Sequence, residues 1–299
     1  MLKKCYLTLR WAANHPINQG PKWKSAWNFI RAQLGARMIL GELCVPFPND
    51  TRLLIPPSMK GATHFIWPSL VDFEEMSFLM HFLRPDDLFV DVGANIGAFT
   101  VLASGVAGAK TIAYEPGPSA FEFLQKNIWL NHLSEKATAH AIAVGAKEGM
   151  IYFTTGLGTE NHMSENKENT AGLQRVEVPM STLDAQFRDL SPTVIKIDVE
   201  GFESDVLTGA KSVLSKPSLQ ALVMECVGNA ALVGRDESDL PKYLESLSFV
   251  AHSYEPTTRS LKQIPAESAR GNVIYLKNPE FAKDRVRSAS AYRFANRIV

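Results

Sequence analysis

The sequence predicts an α/β fold built on a mostly parallel sheet with helices on both faces. Two observations carry this. Short apolar runs such as "DLFVDVG", "AKTIAYEP" and "TVIKIDVEG" alternate along the chain with stretches of helical periodicity. The runs are apolar almost throughout, as strands buried on both faces are. The length agrees: 299 residues accommodate one α/β domain of about 200–250 residues plus an appendage.

Taken in order, "KWKSAWNFIRAQLGARMIL" reads as a helix. Trp23, Trp27, Ile30, Leu34 and Met38 recur at helical spacing, while Lys24, Arg31 and Arg37 fall elsewhere. The proline-rich "VPFPNDTRLLIPPSMKG" reads as a bend that separates an N-terminal extension, residues 1–70, from a main domain over 71–299. "DFEEMSFLMHFL" is a helix that stops before Pro85. "DLFVDVG" is the first strand, with a helix near 97–106 after it. "AKTIAYEP" and "PSAFEFLQKNIWLNH" give a second strand and helix, and "ATAHAIAV" a third strand. "GMIYFTT" and "QRVEVPMS" are short strands around a polar insert. "TVIKIDVEG" is a buried strand, "ESDVLTGAKSVLSK" a helix and "LQALVMEC" a further strand. A helix near 239–247, a strand near 249–254 and "NVIYLKN" complete the pattern.

Composition narrows the function classes. Lys and Arg together match Asp and Glu, 31 against 31, so the global balance points to no polyanionic partner. Cys5, Cys44 and Cys226 are odd in number and form no CxxC, which argues against a disulfide framework or a thiolate zinc site and favours a reducing compartment. No apolar run approaches a membrane span of roughly 18 residues. Arg10 interrupts the weak apolar stretch at the start, so a cleavable signal peptide is not expected. The expectation is a soluble, cytoplasmic protein. Charge is uneven, however. Residues 1–41 carry Lys3, Lys4, Arg10, Lys22, Lys24, Arg31 and Arg37 and no acid, and the tail "FAKDRVRSASAYRFANRIV" is also basic. The expectation favoured for the tryptophan stripe is docking on the main domain. The alternative is contact with a membrane surface, a lipid-linked substrate or a partner.

In an open α/β sheet, ligands sit outside the carboxyl ends of the strands, at the switch point of strand order. Asp91 and the turn Gly93–Gly97 end the first strand and Glu115 ends the second. Lys196, Asp198 and Glu200 end the "TVIKIDVEG" strand, and Glu225 ends the next. Each alone has a structural explanation: glycine for a tight turn, Asp198 as a helix cap. Charged residues finishing several apolar strands at one edge call for a ligand. A dinucleotide fingerprint needs a glycine where Asn95 stands, because a side chain there crowds the pyrophosphate. A nucleoside without phosphates tolerates it. Glu115, 24 residues after Asp91, is placed to accept hydrogen bonds from both ribose hydroxyls. A ribose without pyrophosphate, beside an acidic strand end able to bind an ammonium group, describes S-adenosylmethionine.

"VDVGANIGAFT", "AYEPGPSAFEFLQKNIWLN", "STLDAQF", "VIKIDVEGFESDVLTGAKSVL" and "LVMEC" closely resemble the FkbM family of S-adenosylmethionine-dependent methyltransferases, from about Glu74 to Glu225. The resemblance implies a class I, Rossmann-like three-layer sandwich with a seven-stranded sheet, the last strand, "NVIYLKN", antiparallel. It implies O-methylation of sugars, polysaccharides or secondary metabolites, with a small-molecule or glycan acceptor and no nucleic acid. Carried onto this chain, Asp91, Gly93, Asn95 and Gly97 form the methionine-side loop and Glu115 binds ribose. Thr100 and Pro116 flank them, and Asp198 with Glu200 faces the transferred methyl group. The segment after the third strand is more apolar than is usual in the family, so the adenine contact falls to backbone near Ile142 and Ala143.

An alkyl hydroxyl is a poor nucleophile, so a base must take its proton as the new bond forms. Asp198, Glu200, Lys196 and Glu225 fit by position, and His162 of the polar insert by reach. Metal assistance would need a third oxygen ligand beside Asp198 and Glu225, and none stands out, so no metal is expected. Two other readings remain: a nicotinamide-dependent oxidoreductase on the same fold, opposed by Asn95, and a nucleic-acid methyltransferase using the basic N-terminus. The second lacks an Asn/Asp-Pro-Pro-aromatic motif.

Overall fold

The computed structural model describes residues 10, 14, 21–38, 41–56, 70–155, 163–164, 174–226, 240–269, 271–294 and 297–298. At the centre are five parallel strands: β3 (Leu88–Val92), β4 (Lys110–Tyr114), β5 (Ala137–His140), β10 (Val194–Ile197) and β11 (Ala221–Cys226). β14 (Gly271–Leu276) runs antiparallel to β11, as expected of "NVIYLKN", and inserts between β11 and β12 (Val250–Glu255). The sheet differs from the expected seven strands by one. β13 (Ser260–Gln263) folds back as a hairpin on β12, so the order is β13-β12-β14-β11-β10-β3-β4-β5. Apart from that added edge, this is the Rossmann-like class I methyltransferase arrangement.

Alternation along the strands sorts side chains between two layers of helix. On one face Phe89, Val194 and Val223 pack with α2 (Phe73–Phe82), α3 (Ala98–Val101, continuing as a π-turn over Leu102–Val106), α4 (Pro118–Leu130) and α9 (Pro279–Ser288). On the other Val90, Ile195, Ile197 and Leu222 pack with α5 (Leu183–Gln186), α6 (Glu203–Thr208), α7 (Lys211–Leu214) and α8 (Leu240–Ser246). The expected helix over "ESDVLTGAKSVLSK" is broken at Gly209 into α6 and α7. A Cβ at that position would lie 2.1 Å from the Gly145 carbonyl oxygen.

Three expectations are corrected. "ATAHAIAV" is not one strand. It breaks after His140, and β6 (Ala143–Val144) joins a second sheet with β9 (Gln174–Ser181), β7 (Gly149–Thr155) and β8 (Met163–Ser164), in the order β6-β9-β7-β8. The proline-rich bend is in part an antiparallel hairpin, β1 (Leu43–Pro46) and β2 (Arg52–Ile55), turning through Pro48–Asp50. Its Val45, Phe47, Leu53 and Ile55 are buried in the same core as the α2 side of the sheet. The tryptophan stripe of α1 (Lys22–Met38) is not a docking face along its described length: Trp23 is 71% and Trp27 54% exposed, and the buried side chain is Phe29. The side chains of Leu34 and Met38 lie outside the described residues.

Candidate active site at the carboxyl edge of the sheet

Chain order reverses at β3, which has β4 on one side and β10 on the other, and this is where the α/β rule places a ligand. The turn leaving β3 alternates left-handed residues: Gly93, Asn95 and Gly97 have φ of 75°, 51° and 87°. Gly93 is required by proximity as well, because a Cβ there would stand 1.8 Å from the Asp198 carbonyl oxygen. Asn95 occupies its place because asparagine, unlike most residues, tolerates the left-handed region.

The turn is fastened to the next strand. The Gly93 and Ala94 amides both donate to the Tyr114 carbonyl at 3.0 Å. Glu115 accepts from Asn95 N–H through Oε2 at 2.8 Å and from Gly117 N–H through Oε1 at 2.7 Å. It is 5% exposed, and burial pushes its pKa up to about 7 despite the two amide bonds. Each carboxylate oxygen retains a lone pair for a further donor. Thr100 of α3 donates to Oδ2 of the buried Asp91 of β3 at 2.7 Å, while Oδ1 has no hydrogen-bond partner. Burial raises the Asp91 pKa, with Lys196 acting against it.

Lys196 is the register neighbour of Asp91 across β10 and β3, on the same face of the sheet. It is 3% exposed. Its Nζ donates to Asp198 Oδ2 at 2.9 Å and sits 4.8 Å from the centre of the Phe99 ring. Burial opposes its charge, but the carboxylates of Asp198 and Asp91 outweigh that and hold the ammonium above its ordinary range. After Asp198 the chain turns sharply, with Glu200 at φ 53° and Gly201 at 98°. Glu203, buried at the start of α6, holds this turn: Oε1 accepts from Val199 N–H and Oε2 from Gly201 N–H, both at 3.0 Å.

The fold also supplies what sequence spacing did not show. Carboxylate oxygens of Asp198, Glu200 and Glu225 lie within 4.8 Å of one another, so Glu200 is the third oxygen donor the sequence reading lacked, and the trio has the geometry to share a cation. Burial, then Asp198 and Glu200, push the Glu225 pKa up to about 8.

Several of these groups line a cavity of about 270 Å³. Its lining includes Asp72, Gly93, Asn95, Phe99, Glu115, Pro116, Ile142, Ala143, Phe153, Met163, Lys196, Asp198 and Glu200. The lining mixes apolar side chains, among them Phe153 of β7 and Met163 of β8, with four carboxylates, and Lys196 is the lone cation among the described lining residues.

A family model described as the methyltransferase FkbM domain matches residues 91–251, more than half of the chain. The chain belongs to the FkbM methyltransferase family. It is 29% identical over 148 residues to methyltransferase 1 of Beauveria bassiana, covering 42% of this chain and 59% of the relative. It is 26% identical over 159 residues to a methyltransferase of Sordaria araneosa, covering 42% of this chain and 61% of the relative. A hexuronic acid methyltransferase of Haloferax volcanii is 28% identical over 171 residues, covering 56% of this chain and 64% of the relative. The chain thus spans about three-fifths of the length of these curated relatives.

The FkbM segment contains every site residue the sequence singled out. Of these, Gly93, Asn95, Glu115, Pro116, Ile142, Ala143, Lys196, Asp198 and Glu200 line the cavity and Glu225 groups with Asp198 and Glu200, whereas Asp91, Gly97 and Thr100 do not line it. His162 lies outside the described residues. Ile142 and Ala143 do line the cavity, at the point where the chain leaves β5 for the second sheet. Sequence reasoning missed Asp72, Phe153, Met163 and Glu203. Asp72 precedes the FkbM segment and looks like a cap for α2, yet its side chain makes no cap bond and faces the cavity. Burial pushes its pKa up to about 6, reinforced by Asp198. For Glu203 a signal existed: in "DVEGFE" the acid follows the glycine by two residues, within reach of the turn's amides.

Proposed function

We propose that this FkbM-family chain is an S-adenosylmethionine-dependent methyltransferase that methylates a hydroxyl group of a sugar, glycan or secondary metabolite. The observation that carries the reading is the charge of the cavity. Asp72, Glu115, Asp198 and Glu200 line it with Lys196 as the one described cation, and Asp91 Oδ1 is buried nearby without a hydrogen-bond donor. A pyrophosphate brought here would meet like charge in a poorly screened site, whereas a sulfonium and an ammonium group meet their complement. The same lining disfavours a nicotinamide dinucleotide and a polyanionic nucleic-acid acceptor. A sugar acceptor is supported by the hexuronic acid acceptor of the Haloferax relative.

The residues present fit the donor. Gly93, Ala94 and Asn95 of the turn, with the buried Asp91 in the strand before it, would hold its amino-acid end, Glu115 the ribose hydroxyls, and the apolar lining residues Ile142, Ala143, Phe153 and Met163 the adenine. When bound, S-adenosylmethionine supplies a methyl group already activated by its sulfonium. What remains for the protein is to orient the acceptor hydroxyl and take its proton. Lys196 neutralises Asp198 and fixes its direction. Glu225, with its pKa near 8, matches a proton acceptor working close to neutral pH, and Glu200, held on its strained turn by Glu203, is the cavity-lining carboxylate beside it. Glu203 is a positioning residue.

Incubation with methyl-tritiated S-adenosylmethionine and a panel of sugar and polyketide alcohols tests the reading. Tritium is expected in an O-methyl ether. Label found on nitrogen or carbon, or hydride transfer from labelled nicotinamide cofactor in its place, contradicts it.

A further inference from the structure

The N-terminal helix α1 is fastened by one side and bare on another. Phe29 is 4% exposed, whereas Trp23 and Trp27, one helical turn apart, are 71% and 54% exposed. At about 100° per residue the two tryptophans share a face, and Phe29 lies well over a quarter-turn away from both. The fold therefore uses the Phe29 side of the helix and leaves the tryptophan side to something outside it. Two indoles on adjacent turns are costly to leave in water, and their burial is not needed for the core.

The surroundings of this face indicate what covers it. By the same geometry Lys24 and Arg31 lie within about 100° of both indoles, while Lys22 starts the helix nearer the Phe29 side, and all three are exposed. No Asp or Glu occurs anywhere in residues 1–41, while Lys3, Lys4, Arg10 and Arg37 add to the same sign. This is a local departure in a chain whose total charge is zero. Indoles flanked by snorkelling cations favour the headgroup layer of a bilayer, where the ring is buried and its N–H stays hydrated. Among the described residues no helix is long and apolar enough to cross a membrane, so contact through this helix is contact along the surface. We infer that the Trp23–Trp27 face of α1 docks the enzyme on an anionic lipid surface. This rests on the helix alone and stands apart from the identity of the methyl donor.

Co-sedimentation of the full chain with vesicles tests it. Protein is expected to pellet with phosphatidylcholine vesicles containing phosphatidylglycerol, to remain in solution with phosphatidylcholine alone, and to be released by salt. Trp23→Ala/Trp27→Ala should lower partitioning at least about ten-fold with an unchanged melting temperature, since both side chains are exposed. Lys24→Glu/Arg31→Glu, a change of charge with the indoles kept, should lower it as well. Wild-type protein that ignores anionic vesicles, or a tryptophan variant that binds as wild type, overturns the inference. So does a dimer in solution that the tryptophan variant dissociates, because a second copy of the chain would then be the occupant. S-adenosylmethionine binding measured on the same variants should be unchanged.

Discussion

Gly93 shows how one missing side chain holds the site together. Its φ of 75° and the Asp198 carbonyl 1.8 Å from where a Cβ would stand leave Gly93→Ala no relaxed conformation. The variant should lose roughly 3 kcal/mol or more in stability, read by chemical denaturation. Glu203→Ala leaves the Val199 and Gly201 amides without their acceptor. The expected result is a fall in kcat with S-adenosylmethionine affinity largely kept, and partial rescue in Glu203→Gln, whose remaining amide oxygen still accepts one bond. A merely structural role would lower both parameters together. On the proposed reading, Glu225 is expected to set the pH dependence. A base with its pKa near 8 is protonated below that value, so kcat should rise as pH climbs from 6.5 to 8.5. Glu225→Gln should remove that limb and cost on the order of 10²–10⁴-fold in rate. A chelator should leave wild-type turnover unchanged. If it abolishes turnover, the trio Asp198, Glu200 and Glu225 holds a metal ion, and the base reading fails.

Among the elements, the hairpin of β1 and β2 was the hardest to read from sequence. Prolines and an Asn-Asp pair mark a bend, and nothing local shows that the strands pair or that Leu53 and Ile55 enter the core. The information sits 73 residues away. Asn127 of α4 accepts from Leu54 N–H at 2.6 Å and donates to the carbonyls of Leu54 and Ile96, at 3.0 and 2.8 Å. One buried amide thus joins the hairpin, the helix after β4 and the turn at Ile96. Asn127→Ala should destabilise the protein by about 2–4 kcal/mol, from several buried backbone groups left unpaired, and weaken S-adenosylmethionine binding through Ile96. By contrast the strands β3, β4, β10 and β11 were legible because each is a short apolar run closed by a charge. The break between β5 and β6 was not, since "ATAHAIAV" carries no glycine, proline or turn pair to mark it, and only long-range pairing with β9 decides where it leaves the sheet. Likewise α1 had a legible period but not a legible orientation. Spacing finds a stripe, and burial decides which side faces the body.

For the whole molecule, carboxyls drawn wholly or partly out of water carry a cost for stability. Glu75 and Glu225 have pKa values near 8, and that of Glu115 is near 7, all raised first by burial. In each case the folded value exceeds the unfolded one, so the native state binds more protons between the two and stability falls as pH rises through that window. His252 is shifted the other way, its pKa lowered by burial. Between pH 7 and 9 the ligand-free protein should therefore lose on the order of 1 kcal/mol, measured by urea denaturation, and a cationic ligand should restore more of it at pH 9 than at pH 7. A stability that rises over this range would mean that these carboxyls are not buried as described. The central claim is that the edge between β4 and β10 is built for a cationic nucleoside. Titration calorimetry of the full chain with S-adenosylmethionine and, separately, with the oxidised nicotinamide dinucleotide tests it most directly. S-adenosylmethionine should bind, Glu115→Ala should weaken that binding by about 1–3 kcal/mol, and the dinucleotide should give no heat. Tight binding of the dinucleotide with no heat from S-adenosylmethionine would contradict the account.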